Sequence, residues 1–136
     1  TNTLSRKGQE LGANDRVAMC FWWGVLARQV RIEGRVEPVT AKEADAYFAS
    51  RPRGSQIGAW ASYQSRPLTS REELLAAVRR VEAQYGSGSI PRPPHWSGYR
   101  LMPDAMEFWY GREDRLHERF EYRREGNSWV ERILSP

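Results

Sequence analysis

From Gln29 to Val39 the chain alternates without a break: Val30, Ile32, Gly34 and Val36 fall on one side, and Arg31, Glu33, Arg35 and Glu37 on the other. A period of two belongs to a β-strand, whose successive side chains point to opposite faces. One face must be covered while the other stays wet, so the segment reads as a half-exposed strand with a charge ladder on its solvent side. Its neighbour, Arg16 to Trp23, is rich in β-branched and aromatic residues and reads as a buried strand, with Cys20 in the core. Such strands need a sheet around them, and the remaining signals supply it. Tyr99 to Tyr110 reads as a strand pair or as one strand bent at Pro103. Glu118 to Arg123 and Trp129 to Leu134 read as a hairpin around Glu125-Gly126-Asn127.

Helix signals fall between the strands. Ser5 opens a short helix to Ala13 as its N-cap. Thr40 with Glu43 and Ser70 with Glu73 form capping boxes for helices to about Ser50 and Tyr85. Leu74, Val78, Val81 and Tyr85 make the inner stripe of the second. Arg51-Pro52-Arg53-Gly54-Ser55 is a turn that opens a further short helix through Trp60. The sum is a mainly β, α+β architecture: an antiparallel sheet with packed helices, a small barrel being one form of it.

At 136 residues there is enough chain for one domain with a single core. The long apolar run without charge, Val17 to Ala27, is far short of the roughly 20 residues a membrane helix needs. A lone cysteine excludes an internal disulfide and suits a reducing cytosol. With two histidines far apart and one cysteine, no metal site is expected. The net charge is +4, and 19 of the 21 cations are Arg, whose planar fork suits carboxylate and phosphate. Nucleic-acid binding is not expected, because the basic residues are interleaved with acids and no stacking motif accompanies them.

Three basic clusters carry the chemistry. Ser5-Arg6-Lys7-Gly8 places two cations in a first helical turn, against the helix dipole. That costs a few tenths to about 1 kcal/mol unless an anion binds there. Arg51-Pro52-Arg53-Gly54-Ser55-Gln56 has the composition of a phosphate cradle before a helix; an ordinary polar loop is the other reading. Arg115-Leu116-His117-Glu118-Arg119, if extended, puts Arg115, His117 and Arg119 on one face. Such a row either surrounds an anion or is a solvated charged strand.

Taken in order, these blocks resemble the pyridoxine (pyridoxamine) 5′-phosphate oxidase family. The matching stretches begin with Thr1-Asn2, Ser5-Arg6-Lys7-Gly8, Arg28-Gln29-Val30, Glu33-Gly34 and Ser50 through Trp60. They continue with Gln64-Ser65, Ile90-Pro91, Pro93, Trp96, Gly98-Tyr99, Glu107-Phe108-Trp109 and Arg115 through Arg119. The resemblance implies an FMN-binding split β-barrel acting as a homodimer, each flavin site being built by both subunits. Arg6 and Lys7 would hold the FMN phosphate with Gln64 and Ser65, and Thr1 would also touch the cofactor. Gln29 would meet the flavin ring, while Trp109 and Arg119 complete its pocket. Tyr47, Arg51 and Ser55 would grip the substrate phosphate, and Arg115 and His117 would cover the substrate ring as catalytic residues. The implied reaction oxidises pyridoxine or pyridoxamine 5′-phosphate to pyridoxal 5′-phosphate and reduces O2 to H2O2.

Three departures stand beside this resemblance. Family members carry a substantial segment before the position of Thr1, so the barrel is expected to lack N-terminal strands. Tyr110 stands where Gln is usual, and Trp22 where Tyr is common. The alternative within the same fold is a flavin oxidase with another substrate, such as a phenazine-pathway enzyme. The Arg51 to Gln56 stretch favours the vitamer oxidase.

Overall fold

The computed structural model describes residues 1–136. They form two compact units, Thr1–Ala13 with Pro38–Arg100, and Asn14–Glu37 with Leu101–Pro136. No helix is long and apolar enough to cross a membrane.

The first unit is helical. It contains α1 (Arg6–Ala13), α2 (Ala41–Ser50), α3 (Arg53–Ala61) and α4 (Arg71–Tyr85). Each start follows from its cap. Ser5 Oγ accepts the Gly8 N–H at 3.1 Å and opens α1. The box at α2 closes both ways: Thr40 Oγ1 accepts the Glu43 N–H, and Glu43 Oε2 accepts the Thr40 N–H at 2.9 Å. Those Thr40 bonds, reinforced by Arg100, pull the Glu43 carboxyl down to about 2. At α4 the reciprocal half of the box moves by one residue. Ser70 Oγ still accepts the Glu73 N–H, but the Glu73 carboxylate reaches Thr69 rather than Ser70.

The core of this unit is Phe48, Ile57, Ile90 and Trp96, with Val78, Val81 and Tyr85 of the expected α4 stripe packed against it. Burying each such side chain stabilises the fold by about 1.5–3 kcal/mol. The junction from α2 to α3 is tied by Gln56, whose Nε2 donates to the carbonyls of Phe48, Ala49 and Arg51 at 3.1–3.2 Å. The carbonyls of Ala49 and Arg51 belong to the helix end that lacks further helical donors, while that of Phe48 also accepts the Arg51 N–H at 3.2 Å.

The second unit is one open sheet. Its strands are β1 (Arg16–Trp23), β2 (Arg28–Pro38), β3 (Tyr99–Tyr110), β4 (Glu118–Glu125) and β5 (Ser128–Ile133), hydrogen-bonded in sequence order. The β1/β2, β3/β4 and β4/β5 pairs are antiparallel. The alternation of β2 is kept: Val30, Ile32, Gly34 and Val36 are more covered than Arg31, Glu33, Arg35 and Glu37. Gly34 is obligatory, since a Cβ there would lie 2.1 Å from the Met102 carbonyl oxygen. Between the two readings of Tyr99 to Tyr110, the structure shows one continuous strand through Pro103. The β4–β5 hairpin turns on Gly126 and Asn127, with Gly126 at φ +62°, as a tight two-residue loop requires.

Two expectations fail here. β1 is an edge strand, and Met19, Phe21, Trp22 and Trp23 are 41–56% exposed. Cys20 is likewise exposed rather than in the core. Residue types identify a strand but not its place in the sheet, and an edge strand has a neighbour on one side only. The row Arg115–His117–Arg119 is not extended either. Glu113–Arg115 form a single 3-10 turn, with Asp114 at φ 53° and Arg115 at φ 61°, and β4 begins only at Glu118.

Candidate functional site

In the first unit a cavity of about 550 Å³ collects Tyr47, Arg51, Ser55, Thr1 and Gln64, five residues singled out from the sequence. Tyr47 lies in the last turn of α2, Arg51 caps that helix, and Ser55 sits in the first turn of α3. The α2–α3 corner thus brings three side chains spaced four apart to one wall. Trp96 forms the floor. Its ring stands 5.9 Å from that of Tyr47, and the Arg51 guanidinium lies 5.0 Å above the indole.

Two polar atoms of these lining residues are buried without a partner: Arg51 Nη1 and Thr1 Oγ1. A buried N–H left unpaired is costly, and buried polar groups are almost always bonded. A cationic donor and a hydroxyl, both unpaired on residues that line one cavity, fit an oxyanion such as a phosphate. The neighbouring Arg53 does not share this role. Its guanidinium donates to the carbonyls of Gly86 and Gly88 beyond the end of α4, so the cradle has one guanidinium, not two.

Arg6 and Lys7 are exposed in the first turn of α1, and Arg6 Nε pairs with Glu10 at 2.8 Å. Gln64 Oε1 accepts the Asn2 N–H at 3.4 Å. Ser65 holds φ 70°, a left-handed conformation that a non-glycine residue adopts at some cost. His95 Nε2 lies 3.3 Å from the Ala59 carbonyl oxygen.

In the second unit, Gln29 and Trp109 line a separate cavity of about 240 Å³. Trp109 pairs with Arg119 in the β3/β4 register. Its ring lies 4.7 Å from His117 and 5.8 Å from Trp22. His117 Nδ1 accepts the Arg112 backbone N–H at 3.1 Å. The neutral imidazole therefore carries its proton on Nε2, as a donor. The charge of Arg119 is already matched by the Glu107 carboxylate, with Arg31 at 3.6 Å on its other side. The Arg119 hydrogen bond, ahead of the nearby charges, holds the Glu107 carboxyl below its usual range. Arg115 is exposed on its strained turn.

Sequence reasoning attached no role to Trp96, Glu107 or Arg112. Trp96 stood in a motif block, and Glu107 was a charge between the apolar residues of β3. Arg112 acts through its backbone, which leaves no mark in a sequence.

The family model described as "Pyridoxamine 5'-phosphate oxidase" matches residues 1–85. The model described as "Pyridoxine 5'-phosphate oxidase C-terminal dimerisation region" matches residues 96–136. The pyridoxine/pyridoxamine 5′-phosphate oxidases of Myxococcus xanthus (strain DK1622) and Rhodospirillum rubrum are each 57% identical over the whole chain. That of Thermosynechococcus vestitus is 56% identical. The chain spans 66%, 68% and 64% of these relatives, about two thirds of their length.

Among solved structures, PhzG from Burkholderia lata 383, in complex with tetrahydrophenazine-1-carboxylic acid, superposes with a TM-score of 0.93 at 37% identity. All of this chain and 66% of that one are covered. A pyridoxamine 5′-phosphate oxidase-related, FMN binding protein of Nostoc punctiforme has a TM-score of 0.78 at 16% identity, covering all of this chain and 70% of that one; this likeness speaks for the fold alone. The architecture is the expected α+β split barrel, with its sheet open rather than closed. With two family models covering most of its length and relatives at 57% identity from end to end, the chain belongs to the pyridoxine/pyridoxamine 5′-phosphate oxidase family.

Proposed function

We propose that this chain carries the substrate and flavin contacts of a cytoplasmic, homodimeric oxidase in which 1–136 act as one flavin-binding domain. The enzyme converts pyridoxine 5′-phosphate or pyridoxamine 5′-phosphate to pyridoxal 5′-phosphate. For the alcohol, the –CH2OH group and O2 become the aldehyde and H2O2. For the amine, water enters and ammonia leaves as well. The observation that carries the reading is the buried, unpartnered Arg51 Nη1, in a cavity shared with Tyr47 and Ser55.

Arg51 neutralises and orients the substrate phosphate, and the hydroxyls of Tyr47 and Ser55 donate to its remaining oxygens. Fixing the phosphate holds the ring at a set distance from the reacting carbon, and positioning of this kind is a large share of what a protein contributes to catalysis. His117, with its proton on Nε2, donates to the substrate ring, and Arg115 covers the same face. Both are the catalytic residues of this reading.

The residues present suit FMN. Arg6, Lys7, Gln64 and Ser65 offer donors for its phosphate, Thr1 would also touch it from the edge of the Arg51 cavity, Gln29 offers an amide to its ring, and Trp109 with Arg119 closes the pocket. FMN, when bound, supplies the two-electron redox chemistry that none of these side chains has.

The test is to record the flavin spectrum of the purified protein and assay H2O2 release with both phosphorylated vitamers. Yellow protein with turnover is expected. Protein that neither carries nor takes up FMN contradicts the reading. Flavin-loaded protein inert toward both vitamers favours a flavin oxidase with another substrate, the alternative for which the PhzG likeness speaks.

A further inference from the structure

Trp96 lines the phosphate cavity together with Tyr47, Arg51 and Ser55, yet no role has been given to it. It lies 8% exposed in the core of the first unit, edge-on to Phe48 at 5.2 Å. It also meets two other side chains that line the cavity. The Tyr47 ring is stacked on it at 5.9 Å with 28° between planes, and the Arg51 guanidinium lies 5.0 Å from its centroid. The backbone that carries the indole is itself clamped. The Trp96 main-chain carbonyl accepts from Arg92 Nη1 at 2.6 Å, and Arg92 is held by Asp45 at 2.6 Å. The strand-like bridge between Asn2 and Trp96 fixes its backbone from the other side.

Tyr47 is 65% exposed and Arg51 has a guanidinium nitrogen without a hydrogen bond. Neither side chain is therefore held in place by its own polar contacts at the cavity. An Arg without an orienting partner samples several rotamers and loses that freedom when it binds an anion. An aromatic face beneath the guanidinium removes the cost in advance. It attracts the cation through the ring quadrupole and leaves the in-plane N–H donors free for an oxyanion.

We propose that Trp96 is a positioning residue of this site. Its indole holds Arg51 and Tyr47 in the orientation that receives the phosphate, and so sets substrate affinity without touching the reacting carbon. The proposal rests on the reading that Arg51 takes the substrate phosphate.

The test uses Trp96→Phe and Trp96→Leu in the purified protein, with two readouts: KM and kcat for pyridoxine 5′-phosphate, and affinity for inorganic phosphate by calorimetry. Trp offers the best cation–π face, Phe a weaker one and Leu none. KM and the phosphate dissociation constant should both rise about threefold in Trp96→Phe and about tenfold in Trp96→Leu, while kcat holds. If the buried Leu substitution prevents folding, the Phe step decides, together with its repetition in an Arg51→Met background, where the increment should vanish. A merely structural tryptophan would lower the melting temperature and leave phosphate affinity unmoved. That result overturns the proposal, as does absence of phosphate binding by the unsubstituted protein. Should the unsubstituted protein bind phosphate but oxidise neither vitamer, the functional reading fails while the phosphate series still tests Trp96.

Discussion

Arg119 grips Glu107 diagonally across β3 and β4 with two parallel hydrogen bonds, Nε to Oε1 at 2.9 Å and Nη2 to Oε2 at 3.1 Å. The Glu107 side chain is only 13% exposed, and its carboxyl is held below the usual range first by this contact. Glu107→Gln should therefore lower stability at neutral pH by about 1–2 kcal/mol in urea unfolding. A carboxyl lowered in the folded state stabilises above its unfolded pKa of about 4.3, and the effect is lost as pH falls through the folded value. The stability gap between wild type and Glu107→Gln should close on acidification below that range. A gap that persists unchanged into acid would contradict the assignment.

Arg51→Met separates binding from stability. Removing the donor should raise KM for the phosphorylated substrate by about 30-fold, equivalent to about 2 kcal/mol for a hydrogen bond to a charged group. Stability should stay within about 1 kcal/mol of wild type, because the cation–π contact with Trp96 is lost while a buried unpaired nitrogen is also removed. Parallel kinetics and unfolding curves check both halves.

Arg115 sits at φ 61°, where L-residues are strained. Arg115→Gly relieves that strain, at the cost of a more flexible unfolded chain, and should raise stability by about 0.5–1 kcal/mol. Turnover should fall in the same protein, because the guanidinium over the substrate ring is gone. A drop in melting temperature would show that the turn is not strained.

Gly34→Ala should be poorly tolerated. The added methyl would meet the Met102 carbonyl oxygen at 2.1 Å and force β2 and β3 apart. Overpacking of this kind costs about 1–3 kcal/mol, and backbone cannot move aside as a flexible side chain can. Thermal melts or soluble yield will report it.

His117→Ala and Arg6→Ala should fail in opposite ways. The first should impair turnover more than flavin retention, since the ring lies on Trp109 and offers Nε2 as a donor. The second should lose flavin while turnover per bound flavin holds. Flavin absorbance and turnover measured on the same samples distinguish the two, and a common pattern in both variants would contradict the division of roles.

Much of the fold was legible because its rules are local. The alternation of β2, the caps at Ser5, Thr40 and Ser70, and the Gly126-Asn127 turn each depend on a few neighbouring residues, and the structure has all of them. The basic blocks were legible as charge clusters for the same reason, since charge type and spacing are written in the chain. Tertiary structure decided what depends on distant partners. It put β1 at an edge, which exposed Cys20 and the tryptophans that composition had assigned to the core. It sent Arg53 to the end of α4 and left Arg51 over Trp96, although the two arginines are two residues apart and alike in sequence. It also matched Arg119 to Glu107, which spacing alone had grouped with Arg115 and His117. A side chain's propensity is a property of its neighbours along the chain, whereas its charge partner and its burial are fixed only once remote segments have packed.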